Sequence, residues 1–119
     1  MEVVKIADEI QKKIDALDTI RATVRERANA KAKAIAEYDK QIAITLIKLS
    51  SGKTMTIDEH KIEKPSVSVS EKIAKGICWQ EKLNMEQATA SYSAAVTNLD
   101  VVMAQLNALQ SIYRHLSEA

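Results

Sequence analysis

The sequence predicts an all-α protein. Two long antiparallel helices form a helical hairpin with an irregular or short β-hairpin tip, and copies of the hairpin assemble into an oligomeric helical bundle. Three observations predict this. Apolar residues recur every three or four positions through two long stretches. Two glycines and one proline in 119 residues leave few places for the chain to turn. From Leu83 to Tyr113 the only charged residues are Glu86 and Asp100, far fewer than a helix facing water usually carries. At this length the chain reads as a single domain over 1–119, with a helix over 3–49, a tip over 50–69 and a helix over 70–117.

The first helix carries Val3, Ile6, Ile10, Ile14, Leu17, Ile20, Val24, Ala28, Ala32, Ile35, Tyr38, Ile42, Leu46 and Leu49 at steps of three or four. At 1.5 Å per residue a helix over 3–49 spans roughly 70 Å. Its seventeen Asp, Glu, Lys and Arg residues mark it as the outer helix of a bundle. Arg21, Arg25, Arg27, Lys31 and Lys33 form a basic cluster, offset by Glu26. One reading is a solvated face that pairs with acids. The other is a stripe for phosphate or nucleic acid, although no aromatic residues interleave to stack on bases.

Ser50-Ser51-Gly52 ends that helix, because glycine takes the left-handed conformation that closes a last turn. In the connection, Met55 and Ile57 alternate with threonines, and Val67 and Val69 alternate with serines. These runs are expected to pair as a short β-hairpin or to run extended. Thr56 with Glu59 also fits a capping box opening one helical turn, and Pro65 opposes a longer helix.

Ser68 with Glu71 is a capping box for the second helix. Its seam is Cys78, Glu81, Met85, Ala88, Tyr92, Ala95, Leu99, Val102, Leu106, Leu109, Tyr113 and Leu116, apolar except for Glu81. Val96, Met103 and Ile112 widen the apolar face, and Thr89, Ser91, Ser93, Thr97, Asn98, Ala104, Ala108 and Ser111 keep the remainder uncharged. Such a helix is central and touches more than one neighbour. The expected oligomer interface is Tyr92, Val96, Leu99, Val102, Met103, Leu106, Leu109 and Tyr113. Gly76 lies in the early turns, where glycine costs about 1 kcal/mol against alanine. Either something packs close against it, or the helix starts only near Ile77. Trp79, off the seam, and Ile57 in the tip are the expected contacts for a partner.

Little in the chain suggests catalysis. His60 and His115 sit in no metal-ligand spacing, Cys78 falls on the apolar seam, and no phosphate-binding glycine loop or paired-cysteine motif is present. The expectation is therefore no enzyme, no cofactor and no metal. A net charge of +1 gives no bulk attraction to nucleic acid or to acidic partners. There is no run of eighteen apolar residues for a membrane span. The start, MEVVKIADEIQKK, turns charged too soon for a secretory signal, and one cysteine suits a reducing cytoplasm.

The stretches AKGICWQEKLNMEQATASY and LNALQSIYRHLSEA, with EYDKQIA in the first helix, resemble a family of small helical proteins encoded by phages and prophages of Gram-positive bacteria. That family has no assigned activity, so no functional residues carry over. The resemblance implies an accessory protein in the host cytoplasm that acts on a host or phage protein, with inhibition of host defence as one form. Two alternatives stand beside it. One is a nucleic-acid-binding factor in phage recombination or replication. The other is a sponge that traps a small molecule between subunits.

Overall fold

The computed structural model describes residues 2–52, 55–62 and 65–118, Met55 by its backbone alone. Residues 53, 54, 63 and 64 of the expected tip lie outside the described residues. The elements in order are α1 (Glu2–Ser50), β1 (Met55–Ile57), β2 (His60–Ile62), α2 (Val67–Ile77) and α3 (Trp79–Glu118). The fold is all-α with one tiny antiparallel sheet. The chain divides into two compact units. The first joins Met1–Asn29 to Ala90–Ala119, and the second is Ala30–Thr89.

In the first unit, Lys13 Nζ donates to Gln105 Oε1 at 3.0 Å, and the Arg27 guanidinium donates to Ser91 Oγ. Fourteen residues along α1 therefore correspond to fourteen residues back along α3. The buried side chains here are Leu17 and Val102. The twelve seam positions from Cys78 to Leu116, which run through both units, are all at least half-buried, with Cys78 and Val102 fully so. The α1 series is covered in the same way except at Ile14 and Ala32, which are exposed.

In the second unit α1 closes as its sequence demands. Gly52 has φ 81°, and Ser51 N–H donates to Ile47 O at 3.0 Å. Ser50 Oγ adds a second donor to the Ile47 carbonyl, and Ser51 Oγ donates to the Lys48 carbonyl, one of the groups at a helix end that lack an intrahelical partner. The buried side chains are Thr45, Leu49, Ala74 and Cys78. Thr45 is polar, and its hydroxyl lies 3.5 Å from Cys78 Sγ, which satisfies it.

The connection differs from expectation in three ways. A β-hairpin is present, but its second strand is His60–Ile62 and not the Val67–Val69 run. Ile57 pairs with His60, so Asp58 and Glu59 alone make the turn, at φ 43° and 70°. Two positive φ values suit the twist of a two-residue hairpin, and this turn excludes a helical turn over Thr56–Glu59. Val67 and Val69 instead open α2, because Ser66 stands at the N-cap in extended geometry, φ −64° and ψ 158°. Its carbonyl accepts from Ser70 N–H at 2.8 Å and from Ser70 Oγ at 2.9 Å. The helix thus begins before Ser68, which lies inside the first turn, so the Ser68–Glu71 capping box does not form.

The second helix is also not continuous over 70–117. Cys78 caps α2 with ψ 27°, and α3 begins at Trp79. Cys78 N–H still donates to Ala74 O and Lys82 N–H to Cys78 O, both at 3.0 Å. The break is a local distortion and not a loop. A Cβ built on Gly76 meets nothing within 4 Å, so no close neighbour accounts for the glycine. It lies in the last turn of α2, where its flexibility costs less than in a helix centre.

Candidate functional site

The hairpin and the α2–α3 junction meet in the second unit. Thr56, Ile57 and Asp58 from the hairpin and Gly76, Ile77 and Trp79 from the junction line a depression of about 200 Å³. The two residues that the sequence singles out for partner contact are thereby brought to one place. Trp79 is 61 % exposed and Ile57 is half-buried. The positive-φ turn folds the hairpin back, and the open space at Gly76 leaves the floor clear. The lining is mostly polar, so a ligand here would meet hydroxyl and carboxylate groups at the rim of an indole.

A second groove of about 290 Å³ lies in the same unit between Leu46, Ile47 and Ser50 of α1 and Val67, Ser70 and Glu71 of α2. Its lining is mostly apolar, and Val67 is 86 % exposed. Sequence reading missed Ile47 and Val67. The signal was present for Ile47, an apolar residue between the seam positions Leu46 and Leu49. Val67 was hidden by the alternation that made it look like a strand. Both concavities are open and below the size that encloses a drug-sized ligand. They suit single side chains of a partner.

The electrostatics are light. Lys82 Nζ lies 5.4 Å from the centre of the Tyr38 ring and 3.1 Å from Glu86 Oε1. His60 is exposed in β2, and His115 is exposed near the end of α3. Among the described residues no group of three or more His, Cys, Asp or Glu could hold a metal ion. Cys78 is a free thiol, 2 % exposed.

The helical period spreads the five cations of the basic cluster around α1. Arg21 and Arg25 share one side, Arg27 and Lys31 another, and Lys33 neither. Arg27 is engaged with Ser91. Of the eight residues expected at the oligomer interface, Val102 is buried and Tyr92, Val96, Leu99, Leu106, Leu109 and Tyr113 are half-buried within the single chain. Met103 alone is exposed. Among the described residues no helix is long and apolar enough to cross a membrane. Compared with protein-family models, curated proteins and solved structures, the chain matches none.

Proposed function

We propose that this chain is a non-enzymatic, self-associating interaction protein. Its long helices form an antiparallel hairpin that assembles into a bundle, and its tip presents Ile57 and Trp79 to a partner. The observation that carries this reading is the imbalance between core and surface. Among the described residues five apolar side chains are buried, whereas ten large apolar residues are between 40 and 86 % exposed. A chain this thin in core gains stability by covering such residues against another chain. The matched registers of Lys13 with Gln105 and Arg27 with Ser91 support the hairpin. The resemblance to phage-encoded helical proteins supports a host or phage protein as the partner and the host cytoplasm as the place.

Light scattering of the purified protein over a range of concentrations tests the assembly. The expected result is a dimer or higher species whose Tm rises with concentration. A monomer with a concentration-independent Tm would sink the reading. For the tip, Trp79→Ala combined with Ile57→Thr should remove capture of the partner and leave the circular dichroism of the helices unchanged. Capture that survives the double variant would move the contact elsewhere.

A further inference from the structure

The outer side of α3 in the first unit carries a second series beside the seam. Ala90, Ala94, Thr97, Val101, Ala104, Ala108 and Ile112 follow at steps of three or four, and all seven are exposed. At 100° per residue they fall in an arc of about 80°, turned away from the seam that contains Val102. None is charged. Asp100, the one charge between Ala90 and Tyr113, lies about 80° from the middle of the arc. The exposed side of α1 in the same unit is built differently, with Glu9, Lys12, Asp15, Asp18, Arg21, Arg25 and Glu26 all exposed. Two helices of one unit thus meet solvent with opposite chemistry, and only α1 has the surface of a helix that stays in water.

The chain as a whole also exposes more surface than its mass requires. The chain exposes 8475 Å² at 13.2 kDa, against about 6,400 Å² for a folded monomer of that mass. The excess, about 2,000 Å², exceeds the roughly 800 Å² that each partner buries in a standard stable interface. A second copy covers such a surface on both chains at once.

Resting on the self-association argued above, we propose that the α3 series is the seat of a second copy, packed antiparallel on its own series about a two-fold axis at Val101. The series is self-complementary in that direction. Ile112 falls opposite Ala90 of the other copy, Ala94 opposite Ala108, Thr97 beside Ala104, and Val101 opposite Val101. Ile112 meets Ala90 at both ends, small residues meet small ones between, and the two valines meet at the axis, so the two ends of the contact are alike and neither carries both isoleucines. A parallel alignment stacks Ile112 on Ile112 at one end and alanine on alanine at the other, which wedges the helices apart. Antiparallel α3 helices also oppose their macrodipoles favourably. The arrangement brings the two Asp100 carboxylates to the same flank near the axis, so Asp100→Asn should strengthen the dimer modestly, most at low salt.

Cysteine cross-linking in the full chain tests this, with buried Cys78 as an internal control that should stay unlinked. Val101→Cys should give a covalent dimer in high yield under mild oxidation. Ala94→Cys and Ala108→Cys should each remain unlinked alone and link to each other when coexpressed. Linking of Ala94→Cys to itself overturns the antiparallel arrangement. A wild-type dimer in which none of these variants links overturns the α3 seat and leaves self-association standing, whereas a wild-type monomer removes both. As a second readout, Val101→Glu should weaken dimerisation about a hundredfold or more by burying a charge. Asn107→Glu, exposed but off the series, should leave it unchanged, and equal effects of the two would overturn the assignment.

Discussion

The two units are stabilised differently. Among its described residues the second gathers four that are buried, Thr45, Leu49, Ala74 and Cys78, around the end of α1 and the α2–α3 junction. It also holds every irregular feature described: the capped end of α1, the β-hairpin and the helix break. Among the described residues the first unit has two that are buried, Leu17 and Val102, and consists of uninterrupted helix. Irregular backbone needs local packing to hold it, and the second unit supplies that. The uninterrupted helices of the first unit satisfy their own backbone hydrogen bonds. The recognition proposed at the tip and the association proposed along α3 are thereby assigned to different parts of the chain.

Substitutions in the two cores give the largest test of this contrast. Leu49→Ala should cost about 2–5 kcal/mol in chemical denaturation, since Leu49 is 1 % exposed. Hydrogen exchange should place that loss in the second unit. Leu17→Ala in the first unit should cost a comparable amount, and the Tm of this variant, like that of the wild type, should rise with protein concentration. If neither Tm depends on concentration, the division of labour between the units is wrong.

Smaller effects sharpen the view of the tip. Glu59→Gly should stabilise the second unit by about 1 kcal/mol, because φ 70° is unfavourable for a residue with a Cβ. A loss of stability would mean that the Glu59 side chain makes a contact worth more than the backbone strain. Gly76→Ala should add about 0.5–1 kcal/mol to thermal stability, as the new methyl meets nothing within 4 Å. Because Gly76 also lines the depression, partner capture by this variant reports separately whether the open floor matters. Lys82→Ala should change stability least, by about 0.5 kcal/mol, since its ion pair and ring contact are both partly exposed.

Much of this molecule was legible from local pattern. The periodicity of Val3 to Leu49 and of Cys78 to Leu116 marks helices, because a 3.6-residue repeat puts apolar residues on one side wherever that side is covered. Gly52 marks a helix end, because its left-handed φ is a property of the residue itself. Other features were misread because local signals competed. Val67 and Val69 satisfy a strand pattern, yet the extended Ser66 after Pro65 starts a helix at Val67. Asp58 and Glu59 carry no glycine, yet the pairing of Ile57 with His60 leaves only a two-residue turn.

The sequence by itself determined the two long helical stretches, apart from where the second begins, and which side of each is apolar, since both follow from residues within a few turns of one another. Only the tertiary structure decided three things: that the second helix breaks at Cys78, that Ile57 lies beside Trp79, and that the α3 series from Ala90 to Ile112 stays uncovered while the neighbouring seam does not. The physical reason is the same for each. Burial and close approach depend on what a distant part of the chain places alongside, and no spacing within one helix encodes that.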